Sequence, residues 1–241
     1  MIITIANQKG GVGKTTTAVT LAHGLALNRG NTLLIDLDPQ GQCATALGLP
    51  QEPGIFNYLI ANRPTPDIVR SARDNLEIIP GDSQTAYVQL LWSAQNRPID
   101  YFKHQIKRLL AVFNFILIDT SPSIGGLQER ALYAADLVYI PTACDYLSAS
   151  SVGMTINTIH TIQSPARVNI LPTFYDETTK ESNLVLSELR SSYLYNLVEP
   201  IHRATILREC AAEGLTIWEK DPTSRAAHEY ASLVHQIGRL S

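Results

Sequence analysis

Ile2-Ile3-Thr4-Ile5-Ala6, followed directly by Asn7-Gln8-Lys9-Gly10-Gly11-Val12-Gly13-Lys14-Thr15-Thr16, is the stretch on which the reading of this chain turns. A short β-branched apolar run leads into a glycine-rich turn, and the turn opens a helix. A turn of this kind lets successive backbone N–H groups point at one anion. The helix N-terminus adds unsatisfied amides and a partial positive charge. Lys14 has the reach for the β- and γ-phosphates of a nucleotide, and the Thr15 hydroxyl can ligate Mg²⁺. The general phosphate-loop pattern wants glycine five residues before Gly13, where this chain has Gln8. What it has in addition is a second lysine, Lys9, ahead of the Gly10-Gly11 pair.

Outward from the loop, apolar strand-like runs alternate with runs at helical spacing. Strands are predicted over 2–6, 32–35, 76–79, 115–118, 137–140 and 168–171, the last two stopped by Pro141 and Pro172. Helices are predicted over 15–28, 100–113, 148–162, 180–195 and 224–240. Near-continuous apolar strands between helices predict an α/β fold. Its core is a single doubly wound, mostly parallel sheet with helices on both faces, in one domain spanning 1–241. The proline-containing segment 51–74 reads as an irregular surface excursion. The aspartates Asp36 and Asp119 fall where strands end, and ligands of such sheets bind outside the carboxyl ends of the strands.

Composition narrows the classes. Of 241 residues 45% are hydrophobic and 17% charged, which fits a globular chain with material for a core. No apolar run reaches the roughly 18 residues of a membrane span. The N-terminus lacks a basic, cleavable leader, so a cytoplasmic location is expected. Cys43, Cys144 and Cys210 are too scattered for a disulfide framework or a zinc site and read as small buried thiols. An iron–sulfur cluster bridging two chains would still need only two cysteines per chain. Acidic residues outnumber basic ones, 22 to 19, a net charge of −3 that argues against a strongly basic DNA-binding surface.

The loop together with its companions is similar to the ParA/MinD superfamily of deviant Walker A ATPases. Lys9-Gly-Gly-Val-Gly-Lys-Thr-Thr16 resembles that family's phosphate loop, and Asp36-Leu37-Asp38-Pro39-Gln40-Gly41 its DxDPQG run. Ile118-Asp119-Thr120-Ser121-Pro122 looks like its Walker B and switch segment. Pro172-Thr173-Phe174-Tyr175-Asp176 and the helix with Ala226-Ala227-His228-Glu229-Tyr230 resemble small, Soj-like members. Ile201-His202-Arg203 and Glu209-Cys210-Ala211 depart from the Ile-Pro-Arg and Glu-Ala-Pro that such members often carry, which keeps an McdA-like, carboxysome-positioning branch in view.

The resemblance implies slow, partner-stimulated hydrolysis of ATP with Mg²⁺. Gly10, Gly11, Val12, Gly13, Lys14, Thr15 and Thr16 would cradle the phosphates, and Pro172 and Thr173 would wall the adenine. Thr15 and Asp119 would serve the metal, with Asp36 as either a further metal-side residue or a strand-end cap. Asp38 would orient the attacking water. Lys9 would reach across an interface to the nucleotide of a second chain, giving an ATP-bound homodimer. The same resemblance implies a nucleoid-associated protein that binds DNA without sequence preference, partitions or positions a plasmid, a chromosome region or a carboxysome, and answers to a ParB-like or McdB-like adaptor. A MinD-like membrane ATPase is the alternative, but the chain end, His235-Gln-Ile-Gly-Arg-Leu-Ser241, lacks a lysine-rich amphipathic tail, so no membrane is expected.

With a net negative charge, any DNA patch has to be local. Arg190, Arg203, Arg208 and Arg225 are the candidates, since guanidinium suits phosphate. About three phosphate contacts per chain give a salt slope of roughly −2.7, and roughly −5.4 for a pair of chains. Joining two weak patches would therefore switch DNA binding on.

Overall fold

The computed structural model describes residues 1–123 and 126–240; part of the stretch after Pro122 and the terminal Ser241 of the tail lie outside the described residues. In chain order the elements are β1 (Ile2–Ile5), α1 (Lys14–Arg29), β2 (Thr32–Asp36), α2 (Gln42–Ala46), α3 (Ile55–Leu59), β3 (Arg70–Arg73), β4 (Leu76–Ile79), α4 (Thr85–Ala94) and α5 (Tyr101–Lys107). They continue with β5 (Phe115–Asp119), α6 (Gly126–Ala134), β6 (Leu137–Ala143), α7 (Tyr146–Thr161), β7 (Arg167–Thr173), α8 (Lys180–Tyr193), α9 (Ile206–Glu213), α10 (Ile217–Lys220) and α11 (Arg225–Gly238). The strands form one seven-stranded sheet in the order β3-β4-β2-β5-β1-β6-β7, parallel throughout except for the β3–β4 pair.

Alternation of side chains along each strand explains why helices cover both faces. Ile3, Ile5, Leu34, Leu117 and Tyr139 point into a core shared with buried residues of α1 and α11. Their neighbours Ile2, Leu33, Ile35, Ile116 and Ile118 point the other way, against Val88 and Trp92 of α4, Phe102 and Ile106 of α5 and Ala131 of α6. On that same side Val138, Ile140 and Ile170 meet Val152 of α7 and Val185 and Leu189 of α8. Two-sided burial is why these strands read as unbroken apolar runs.

Three sequence expectations need correction. Pro141 and Pro172 do not end their strands; both lie inside β6 and β7. In a parallel strand a residue's N and carbonyl face the same neighbour. The Pro141 carbonyl accepts from the Asn7 side chain beyond the end of β1, and the Pro172 carbonyl accepts from Ile201 N outside the sheet edge. Neither proline therefore faces a ladder that needs its missing N–H. The segment 51–74 is not wholly irregular: it holds α3 and the antiparallel edge strand β3. The helix expected over 100–113 stops at Lys107 and tightens into a 3₁₀ turn, Arg108–Ala111.

The register places the chemistry. Asp36 lies directly opposite Asp119, and Ile5, just before the glycine loop, lies opposite Asp119 on its other side. Adjacent strands thus deliver both aspartates and the loop to one end of the sheet, at the interior pair β5 and β1, from which the chain runs to β2 on one side (from β1) and to β6 on the other (from β5).

Candidate functional site

The glycine loop is braced from two sides. Buried Asn7 donates from Nδ2 to the Pro141 carbonyl (2.8 Å) and accepts the Lys9 N–H on Oδ1 (2.9 Å). Thr173 Oγ1 donates to the Val12 carbonyl (2.9 Å). Gly13, just ahead of α1, has φ 88°, a left-handed conformation that glycine adopts without strain. Lys14 is only 7% exposed, and its Nζ donates to the Lys9 carbonyl (3.0 Å). Burial lowers its pKa, while the nearby Asp119 and Asp38 carboxylates oppose that shift. A cleft of about 550 Å³ opens over this loop, lined by Gly10, Gly11, Gly13, Lys14, Thr15, Thr16, Asp38, Gln40, Gln42, Pro122 and Phe174.

Asp36 and Asp119 are wholly buried beneath the loop. Burial pushes both pKa values up, and at Asp36 the neighbouring Asp119 charge adds to the effect. Their hydrogen bonds differ. Both Asp36 oxygens accept backbone amides, from Asp38 (2.8 Å) and Cys43 (3.0 Å), so Asp36 ties down the two ends of the turn between β2 and α2. Asp119 Oδ2 accepts from Thr15 Oγ1 (2.7 Å) and from the Cys43 thiol (3.3 Å), whereas buried Asp119 Oδ1 has no hydrogen-bond partner among the described residues. An orphaned carboxylate oxygen beside a hydroxyl at the foot of a phosphate loop fits the hard-oxygen donor set of Mg²⁺. Thr15 and Asp119 are the residues that can hold it.

Asp38 sits half-buried on the cleft wall and accepts the Gln40 N–H on Oδ1 (2.9 Å). Its position depends on Gly81, at the end of β4. A Cβ there would collide with the Asp38 carbonyl oxygen and come within 3.1 Å of Asp36 Cγ. Gly81→Ala is expected to cost ~1–3 kcal/mol by overpacking. It should also displace Asp38. A melting temperature equal to wild type in thermal denaturation would contradict this.

A second pocket, about 390 Å³, shares Gly11, Thr16 and Phe174 with the cleft and is walled further by Cys144, Arg203, Leu207 and Arg208. Phe174 adopts φ 52°, rare for an aromatic residue, and the Arg203 guanidinium lies 6.0 Å from its ring centroid. Pro172 and Thr173 are buried behind the loop, each with a backbone or side-chain group spent on structure, so Phe174 is the β7-side residue that faces the shared space.

Lys9 lies at the rim. Its Nζ is 3.3 Å from Asp145 Oδ1, with the two side chains 30% and 44% exposed. Asp145 also caps α7 by accepting the Ser148 N–H (2.8 Å). The next two residues, Tyr146 and Leu147, are 58% and 79% exposed. The four candidate DNA arginines have different surroundings. Arg225 is paired with Glu177 (3.2 Å) and Glu229 (3.0 Å) and also contacts His202. Arg203 faces Phe174. Arg190 and Arg208 are exposed, and among the described residues neither has an ion-pair partner.

Sequence reading missed Asn7, Cys43, Gly81, Asp145 and Phe174. Asn7 and Phe174 lie inside the quoted motifs without a role assigned to them, and Asp145 carried a local signal as an Asp three residues before Ser148 at a helix start.

A family model described as an AAA domain matches residues 1–171. The sporulation initiation inhibitor protein Soj of Bacillus subtilis (strain 168) is 32% identical over 98% of this chain and 97% of its own length. The chromosome partitioning protein ParA of Myxococcus xanthus (strain DK1622) is 33% identical over 98% of this chain and 87% of its own length. Among solved structures, apo McdA of Cyanothece superposes with a TM-score of 0.88 at 20% identity, covering 98% of each chain, which is a likeness of fold.

Proposed function

The chain belongs to the ParA/MinD-type ATPases, with Soj-like partition proteins among its relatives, and on that premise we propose that it is an Mg²⁺-dependent ATPase whose ATP-bound pair binds DNA without sequence preference and positions a cargo on it. One observation carries the reading: Lys14, Thr15 and Asp38 line one cleft at the carboxyl end of the sheet, with a second lysine, Lys9, on its rim.

Mg²⁺ would supply charge neutralisation at the β- and γ-phosphates, with Thr15 and Asp119 as the residues to hold it. Backbone amides of the loop and the Lys14 ammonium bind the phosphates. Asp38, whose turn is fixed by Asp36 and by the close approach of Gly81, orients water for attack. Phe174, with Arg203 behind it, offers a face for the base. Pro172 and Thr173 contribute to that wall by holding the loop.

Lys9 is the pairing residue. Its contact with Asp145 is half-exposed, a kind of pair worth about 0–1 kcal/mol, so it is readily exchanged for the phosphates of a second chain's nucleotide. The exposed Tyr146 and Leu147 beside Asp145 add apolar surface to the same rim, as an interface between two copies would require. The whole chain, 1–241, works as one unit in this scheme. Of the arginine candidates, Arg190 and Arg208 have guanidinium groups available for DNA phosphates, whereas Arg225 is already engaged by carboxylates. A ParB-like or McdB-like adaptor would stimulate turnover. In the MinD-like alternative an amphipathic helix must meet a membrane. The most amphipathic candidate, α11, instead buries Tyr230, Leu233, Val234 and Ile237 in the core.

Co-sedimentation with long DNA and, separately, with anionic liposomes tests the choice. With ATP the protein should pellet with DNA and stay in the supernatant with liposomes. Pelleting with liposomes alone would overturn the DNA reading.

A further inference from the structure

Resting on the reading of Phe174 and Arg203 as the face for the nucleotide's base, we propose that Glu229 of α11 is a positioning residue for that face and acts through His202. The stretch 201–203 runs beside the end of β7 as a short parallel addition. Ile201 N–H donates to the Pro172 carbonyl (2.9 Å), Tyr175 N–H to the Ile201 carbonyl (3.1 Å) and Arg203 N–H to the Tyr175 carbonyl (2.9 Å). These bonds flank Phe174 on one side of the seam and end on Arg203 at the other. The seam therefore sets how the guanidinium meets the ring, 6.0 Å from its centroid.

His202, in the middle of the seam, is held by one carboxylate. Glu229 Oε2 accepts its backbone N–H (2.9 Å), and Glu229 Oε1 lies 2.6 Å from its Nδ1. The two side chains are 16% and 17% exposed, so water competes weakly for these bonds. Arg225, one turn earlier on α11, contacts His202 Nε2. A guanidinium only donates, so Nε2 accepts, and Nδ1 carries the proton that goes to Glu229. Arg225 also donates to Glu229 Oε1 (3.0 Å), which orients the carboxylate, and the Tyr175 ring packs edge-on against the imidazole at 4.8 Å. The helix that carries Glu229 is itself fixed to α1, through Tyr230 OH and Thr17 Oγ1 at 3.2 Å.

This arrangement accounts for histidine in Ile201-His202-Arg203, where Soj-like members often carry proline. A proline has neither the N–H nor the ring nitrogen, and would leave Glu229 with Arg225 alone. Glu229 and His202 line neither the cleft over the glycine loop nor the pocket beside it, whereas Arg203, the next residue, lines that pocket. Their influence thus reaches the nucleotide through the base-side face, and the phosphate-binding groups are untouched by it.

The test is calorimetric titration of the full-length protein, in Mg²⁺, with ADP and with inorganic pyrophosphate, which has no base. Glu229→Ala and His202→Pro should each weaken ADP binding roughly 10-fold, the lower end of what losing a hydrogen bond to a charged acceptor costs. Pyrophosphate binding should not change, and circular dichroism checks that each variant folds. The double variant should bind ADP no more weakly than either single one, because both remove the same contact. Glu177→Gln takes a carboxylate from Arg225 but leaves both His202 bonds, and should bind ADP as the wild type does. Loss of pyrophosphate binding in step with ADP, additive losses in the double variant, or an equal loss in Glu177→Gln would each overturn the proposal. Unchanged ADP binding in Glu229→Ala would overturn it while leaving the ATPase reading intact; no ADP binding by the wild type would overturn both.

Discussion

Asp38→Ala is expected to reduce ATP hydrolysis by roughly 10²–10⁴-fold, the range typical of a positioned acid–base group, while ATP binding and ATP-dependent pairing of chains persist. The reason lies in what Asp38 does and does not touch. Its backbone N–H is held by Asp36 and, among the described residues, its side chain accepts only the Gln40 amide, so truncation should leave the loop, Lys14, Thr15 and Asp119 where they are. In the proposed mechanism no phosphate-binding group is lost; what is removed is the carboxylate proposed to orient the attacking water. Phosphate release and size-exclusion mass, both with ATP, measure the two halves of this expectation. A variant that remains monomeric with ATP would show that Asp38 builds the interface, and the role assigned to it would be wrong.

Lys9→Ala should show a different pattern: nucleotide still binds, but pairing and turnover are lost together. A cation supplied from outside the chain that holds the phosphate is worth roughly 10³–10⁵-fold in turnover in related phosphoryl-transfer sites. The local cost of the substitution is small by comparison, because the Lys9–Asp145 pair is half-exposed and contributes about 0–1 kcal/mol. The melting temperature should therefore hardly move while pairing disappears. That contrast separates a pairing role from a structural one. Unchanged turnover in the variant would remove Lys9 from the mechanism.

Most of the sheet was legible because its strands are buried on both faces and so appear as β-branched runs. The run Phe115–Asp119 and the run Thr32–Asp36 declare themselves in this way, and each ends on the aspartate that matters. The edge strand β3 did not, because Arg-Ser-Ala-Arg has no apolar run and pairs on one side only. Pro141 and Pro172 misled for a related reason. The rule that proline ends a strand holds only if its nitrogen faces a partner, and sequence does not say which way that nitrogen points. The glycine loop was legible because a phosphate cradle demands a local pattern of glycine, lysine and threonine. Its supports were not. Asn7 meets Pro141, Val12 meets Thr173, Lys9 meets Asp145 and Asp38 meets Gly81 across long stretches of chain, and each contact exists only once the register of the sheet is set. Cys43 reads as an ordinary small residue until β2 and β5 bring Asp36 and Asp119 to its thiol.

The net charge of −3 leaves no room for a uniformly basic surface. In the proposed reading, the exposed Arg190 and Arg208 offer only two candidate phosphate contacts per chain, so strong DNA binding would require two chains held together. The direct measurement is retention of long DNA by the wild-type protein at one concentration, with ATP, with ADP and without nucleotide, repeated across a salt series. The account predicts retention with ATP only, weakening with salt along a slope of roughly −5. Equal retention by the nucleotide-free chain, with the same salt slope, would contradict it.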